Sequence, residues 1–190
     1  MIIIGITGTI GAGKGTLVEY LKQKAHFRHF SVREFLTEEI LRRQLPVNRD
    51  SMTHIANELR ATYSPSYIID QLYNRAVQQG DNAIIESIRT PGEVLSLRKK
   101  DNFFLFAIDA DPAIRYQRIV ARASETDHID YQTFLANEAR EMQTTDPNKQ
   151  NLRQCIAMAD FYFDNNGTRE SLEKQLQKTL QGILPSENKK

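Results

Sequence analysis

Gly8-Thr9-Ile10-Gly11-Ala12-Gly13-Lys14-Gly15-Thr16 is the stretch on which the fold turns. It follows an apolar run, Ile2-Ile3-Ile4-Gly5-Ile6, and leads into Leu17, Tyr20 and Leu21, spaced as on one face of a helix running Thr16 to Lys24. It contains G-x-x-x-x-G-K between strand and helix, the context in which such a loop cradles phosphate. The glycines let the backbone wrap with its amides pointing inward, making an anion nest. The helix adds about half a positive charge at its N-terminus, directed at the same anion. Lys14 is then placed to reach the β and γ phosphates of a nucleotide, and Thr16, directly or through a water, to face Mg²⁺. Gly15 stands where the general motif has Ser or Thr, with Thr16 one place later. A glycine-rich connecting turn is the plainer alternative, but strand, loop, lysine and helix together favour a nucleotide. A dinucleotide-binding Gly-x-Gly-x-x-Gly starting at Gly11 fails, because Thr16 falls on its third glycine.

Outward from this loop, further apolar runs alternate with helical patterns: Ala83-Ile84-Ile85, Phe103 to Ile108, Phe161-Tyr162-Phe163, and a short segment near His29-Phe30-Ser31. Continuous rather than alternating apolar runs predict strands covered on both faces, as in a parallel sheet. Helices between such strands predict right-handed crossovers and a doubly wound α/β structure of five parallel strands with helices on both sides. Asp111-Pro112 reads as N-cap and first residue of a helix through Ala123; Ser124 to Asp130 breaks the pattern, and helix resumes over Tyr131 to Met142.

The chain has 190 residues, which suits one domain at about 150 residues each. Its 25 Lys+Arg against 24 Asp+Glu leave a net charge of +1. That balance argues against nucleic-acid binding by bulk electrostatics while leaving room for a local anion pocket. The single cysteine, Cys155, excludes an internal disulfide and is expected to be buried packing. The N-terminal apolar run meets Gly5, Gly8 and Lys14 too soon for a signal peptide or a span of about 20 residues, so a cytoplasmic protein with no membrane association is expected. Residues 185–190 are expected to form a flexible tail. His26, His29, His54 and His128 show no metal-ligand spacing, so no zinc site is expected.

The G-K-G-T ending of the loop resembles the P-loop of adenylate kinase and its nucleoside monophosphate kinase relatives. The resemblance extends to His29-Phe30-Ser31, similar to the end of that family's second strand, and to Glu34-Phe35-Leu36. The family then usually supplies an acceptor-phosphate arginine, whereas this sequence has Thr37; Arg33, Arg42, Arg43 and Arg49 are the alternatives. Ala83-Ile84-Ile85-Glu86 followed by Arg89 is similar to the family's acidic strand end, so the resemblance implies Glu86 beside Mg²⁺ and Arg89 on a phosphate. The helix holding Arg115, Arg118 and Arg122, with Arg140 beyond it, resembles the lid arginines that embrace the transferring phosphoryl group; Arg118, Arg122 and Arg140 are the candidates and Arg115 is expected at the surface. A solvated face paired with Glu125, Asp127 and Glu138 is the competing reading. Asp164-Asn165-Asn166-Gly167-Thr168 resembles the turn that backs adenine in P-loop kinases, including dephospho-CoA kinases, which implies Asn166 and Gly167 there.

The resemblance therefore implies a single kinase domain over 1–184, with an acceptor insertion near 33–70, where Arg49 and Arg60 are candidate contacts, and a lid near 123–140. It implies ATP and Mg²⁺ as cofactors, held by Gly8, Gly11, Ala12, Gly13, Lys14, Gly15 and Thr16 with Glu86. The partner would be a small phosphate-bearing acceptor, most directly a nucleoside monophosphate, and the protein a monomer or homodimer. Two other readings stay open. One is a dephospho-CoA kinase-like enzyme with Glu34 as base; the other is an ATP-regulated module that holds a protein or RNA.

Overall fold

The computed structural model describes residues 1–123 and 129–184. The expected lid is thus described only in part: Glu125, Asp127 and His128 lie outside the described residues, as does the tail over 185–190. Strands β1 (Ile3–Gly8), β2 (Arg28–Ser31), β3 (Ala83–Glu86), β4 (Phe103–Asp109) and β5 (Phe161–Asp164) form one sheet in the order β2-β3-β1-β4-β5. Every pairing is parallel, with Ile3 level with Ala83 and Phe103, Ser31 with Glu86, and Asp109 with Asp164. All strands therefore end on one edge, where Gly8, Ser31, Glu86 and Asp109 gather.

The uninterrupted apolar runs are explained by two cores, one on each face of the sheet. Ile3, Ile85 and Leu105 point to one face, under α2 (Val32–Arg42), α3 (Arg49–Thr62), α4 (Tyr67–Gln79), α5 (Pro91–Leu97) and α8 (Leu152–Ala157). Ile4, Ile6, Ile84 and Phe106 point to the other, under α1 (Lys14–Ala25) and α9 (Arg169–Ile183). Gly5 interrupts the isoleucines because a Cβ there would stand 2.5 Å from Ile88 Cδ1 and 2.8 Å from the Phe103 ring. Cys155 is fully buried in the first core, and burial pushes its thiol pKa up, as inert packing requires.

Local signals set the helix starts. Asp111 accepts from the Ala113 amide ahead of Pro112, opening α6 (Pro112–Arg122), and Asp130 accepts from the Thr133 amide to open α7 (Tyr131–Met142). Thr90 and Glu93 form a reciprocal capping box at α5, which fixes the chain just after Arg89. The segment 33–70 folds as most of α2, all of α3 and the start of α4, whose buried residues belong to the first core.

Candidate active site

The glycine-rich loop leaves β1 and enters α1 with Gly13 at the helix N-cap. Gly13 has φ 106°, and a Cβ there would lie 2.3 Å from Asn165 Nδ2. That amide donates to Ala12 O at 2.8 Å, so the turn after β5 buttresses the loop from behind. Thr9 Oγ1 donates to Asp109 Oδ1 at 2.5 Å, tying the loop to the end of β4 as well. Lys14 Nζ closes the loop on itself by donating to Gly8 O at 2.9 Å and Thr9 O at 2.8 Å. The amides of Lys14 and Gly15 open the helix and have no intrahelical carbonyl to meet. A Cβ at Gly15 would meet nothing within 4 Å, so the space beside the loop is open.

Next to this loop lies a cavity of about 250 Å³. Lys14, Arg33, Arg49, Arg60, Arg89 and Arg122 line it, with Glu86 and Glu141 among the acids and Leu36, Met52 and Ala56 as an apolar wall. Burial first, and the Arg89 charge second, lower the Lys14 pKa to about 8, against the opposing pull of Glu86 and Glu141. Burial works to raise the Glu86 carboxyl, but a 3.2 Å contact with His29 Nε2 and the charges of Lys14 and Arg89 prevail and hold it below the usual carboxylate range. Ser87, directly after Glu86, adopts φ 72°, an uncommon conformation for a residue with a Cβ, and its amide and that of Ile88 both donate to Ile6 O. This tight turn carries Arg89 over the cavity.

Arg89 is the most heavily tied of the expected site residues. Its Nη1 donates to Glu141 Oε2 at 2.5 Å and to Gln150 Oε1 at 2.7 Å. Arg49 Nη2 donates to the other Glu141 oxygen at 2.5 Å. Burial opposes ionisation of Glu141, yet the two guanidinium groups hold its pKa down. Arg60 is 1% exposed and pairs with the fully buried Glu93 through Nε at 3.0 Å and Nη2 at 2.8 Å, while its Nη1 has no partner. The second Glu93 oxygen accepts from the Arg89 and Thr90 amides at 2.8 and 3.0 Å, so this one carboxylate joins α3 to the arginine turn.

Of the alternatives to an arginine at position 37, Arg33 and Arg49 reach the cavity. Arg42 and Arg43 do not: they pair with Glu39, and Arg43 also with Glu58. Thr37 Oγ1 donates back to Arg33 O and lines a separate concavity with Ser31, Glu34 and Glu38. The arginines of α6 part company. Arg122 lines the cavity. Arg118 Nη2 donates to Asn165 O at 2.7 Å, behind the loop, and its Nη1 is buried without a partner. Arg140 is exposed and donates to Asn137 Oδ1, away from the cavity lining.

Arg115 corrects the expectation of a surface residue: it is 2% exposed. It lies over the Phe134 ring, donates to Ala110 O and Ile10 O, and pairs with Glu138. The reason is tertiary: α7 folds back on α6 and supplies both ring and carboxylate. Asn166 and Gly167 are exposed on their turn, and Asn166 Oδ1 accepts from the Asp111 amide at 2.7 Å. The neighbouring Asn165 is the residue that touches the loop. Glu141, Gln150, Glu93 and Asp109 were not singled out by the sequence: Glu141, Gln150 and Asp109 act across long separations that no local pattern records, whereas Thr90-x-x-Glu93 is a capping-box signature that could have pointed to Glu93.

Thr16 and Glu86 are the oxygen donors suited to a hydrated Mg²⁺ carried in on nucleotide phosphates. Among the described residues no group of three His, Cys, Asp or Glu could hold a metal by itself. No helix among the described residues is long and apolar enough to cross a membrane.

The sequence model of the AAA domain family matches residues 4–146. A UPF0200 protein of Methanococcus maripaludis is 28% identical over 187 residues, covering 97% of this chain and 98% of its own. Another, from Methanocaldococcus jannaschii, is 29% identical over 192 residues, covering 97% and 91%. Among solved structures, a gluconokinase from Sinorhizobium meliloti superposes with a TM-score of 0.60 at 10% identity, covering 96% of this chain and 93% of that one. A shikimate kinase from Bacteroides thetaiotaomicron gives 0.57 at 13% identity, covering 96% and 98%. At these identities the structural likeness establishes the fold, that of a P-loop kinase-like α/β protein.

Proposed function

Because the chain belongs to the AAA domain family, with the loop, Glu86, Arg89 and Arg122 all inside the matched span, we propose that it is an ATP-dependent kinase acting on a small phosphate-bearing acceptor, a nucleoside monophosphate being the simplest. The observation that carries this reading is the continuity of the cavity: Lys14 of the P-loop and Arg33, Arg49, Arg60 and Arg89 of the acceptor side face one space. Two phosphates brought into such a space repel each other, and fixed guanidinium groups offset that repulsion without reorganising at the moment of transfer.

The nucleotide's phosphates rest on the amides that open α1, with Lys14 turning from its own loop carbonyls to them. Mg²⁺, where Thr16 and Glu86 would hold it, supplies further neutralisation of the phosphate oxygens. Arg89 and Arg49 orient the acceptor, Arg122 lines the same cavity, and Arg118 steadies the turn behind the loop. Little general-base chemistry is needed when the attacking group is already a phosphate oxygen, so positioning and charge neutralisation carry most of the rate. A hydroxyl acceptor with Glu34 as base is less well supported, since Glu34 is exposed and lines a separate concavity instead of the cavity shared by Lys14 and Glu86.

The test is a panel of ribo- and deoxynucleoside monophosphates, dephospho-CoA, shikimate and gluconate, each with ATP and Mg²⁺, followed by ADP release. Turnover stimulated by a monophosphate supports the reading. ATP binding without acceptor-stimulated turnover would refute it and favour a nucleotide-regulated binding module. Lys14→Ala should lower transfer by about 10²- to 10³-fold with the fold intact.

A further inference from the structure

Three elements far apart in the chain meet at one carboxylate. Arg49 opens α3, Arg89 follows β3, and Glu141 lies in the last turn of α7. Glu141 gives one oxygen to each guanidinium at 2.5 Å, and all three side chains line the cavity that Lys14 and Glu86 also line. A second arginine–glutamate pair nearby is built differently. Glu93 is fully buried, takes two backbone amides on its free oxygen and caps α5, so it cannot leave without undoing the turn. The Glu141 carboxylate has no backbone anchor of that kind among the described hydrogen bonds; what it accepts comes from Arg49 and Arg89.

We propose that Arg49 and Arg89 form the anion subsite for the acceptor's phosphate, and that Glu141 is its internal occupant, which the phosphate displaces on binding. This deepens the proposed function and rests on its acceptor half. With Glu141 in place, two guanidinium groups face one carboxylate and one positive charge is left over. A dianionic phosphate monoester satisfies both arginines and offers three oxygens, one more than the resident carboxylate. A carboxylic acid brings only what Glu141 already provides and gains nothing by the exchange. The subsite therefore selects phosphate monoesters over carboxylic acids, with Glu141 as the specificity-determining residue.

The displacement makes a prediction of sign. A competent, vacated subsite is only a fraction of the population, and observed affinity falls by that fraction. Inorganic phosphate is titrated calorimetrically, at about pH 8, into full-length Lys14→Ala protein, in which the P-loop competes for it less strongly. Glu141→Gln and Glu141→Ala in that background should each tighten phosphate by about tenfold. Arg49→Ala should weaken it by at least as much, and acetate at equal ionic strength should not compete. Thermal melts confirm that each variant is folded.

If either Glu141 variant weakens phosphate as Arg49→Ala does, Glu141 orients the arginines and the proposal is overturned. Acetate competing as well as phosphate, or no phosphate binding in the Lys14→Ala background, overturns it equally. Because the readout is binding, a protein that binds phosphate in this way but shows no turnover would refute the kinase reading and leave this inference standing.

Discussion

The buried pair between Arg60 and Glu93 offers the sharpest test of how the arginine wall of the cavity is held. Arg60 is 1% exposed and Glu93 fully buried, and each loses its partner differently. Glu93→Ala leaves a guanidinium that cannot deprotonate with no counter-charge, a situation worth about 3–5 kcal/mol. It also removes the capping box at α5, about 1 kcal/mol more. Arg60→Met is milder, because the carboxylate keeps the Arg89 and Thr90 amides and sits in the first turn of α5, where the helix dipole favours it; about 2–3 kcal/mol is expected.

For a chain of this length, about 2–4 °C per kcal/mol translates these costs into melting-temperature losses of roughly 8–24 °C and 4–12 °C. The double variant Arg60→Met/Glu93→Ala should be more stable than Glu93→Ala alone, since removing both charges abolishes the burial penalty that removing one exposes. Urea unfolding of the four proteins closes the cycle. If Arg60→Met costs more than Glu93→Ala, or the two losses simply add, the carboxylate is not the organising element and the account of the arginine turn fails.

Three other outcomes follow from the geometry. Gly13→Ala should cost more than about 2 kcal/mol, because φ 106° is strained for any side chain and the Cβ meets Asn165, whereas Gly15→Ser should leave the melting temperature within a few degrees; equal effects in differential scanning would refute the loop description. Lys14 titrates near 8 when folded against 10.5 in the unfolded chain, so between those values the unfolded state holds more protons and stability rises with pH, by up to about 3 kcal/mol from this group. Urea unfolding across that window should show the slope in the wild type and lose it in Lys14→Met; parallel curves would remove Lys14 from a buried site. Arg49→Ala should raise the acceptor constant about tenfold or more, while Arg42→Ala, an exposed residue paired with Glu39, should leave it unchanged, as steady-state kinetics would show.

The strands and the phosphate loop were legible because their determinants are local. Two-sided burial leaves continuous apolar runs, and a loop that must wrap an anion needs its glycines in a row. The limits of α7 could be read from Asp130 and the helical pattern to Met142. The cavity's cationic wall was legible only as a set of arginines. Arg42, Arg43, Arg49 and Arg60 look alike in sequence, and helix packing alone decides which turn inward. Arg49 and Arg60 lie on the α3 face that also presents Met52, Thr53 and Ala56 to the cavity, while Arg42 and Arg43 find acids on their own side. Arg115 was misplaced for the same reason, since the groups that bury it belong to a helix that follows an intervening segment. Glu141 meets Arg49 across a separation of 92 residues, and no periodicity encodes such a meeting.

The overall charge of +1 conceals the property that matters. Six cationic side chains line the cavity against two carboxylates, a local excess of four positive charges. Arg60 is neutralised from behind by Glu93, so its charge is already answered within the protein. A neutral sugar would leave that excess uncompensated in a space of low dielectric, which is costly. Phosphates at both ends would satisfy it, and would do so while releasing Glu141 to solvent. The excess also explains why the acids that remain are placed as they are. Glu86 faces Lys14 and His29, and Glu141 faces Arg49 and Arg89, so each moderates the positive charge at one part of the cavity. A site with that much charge and no such acids would repel itself apart, and one with more acids would have nothing left to offer a phosphate.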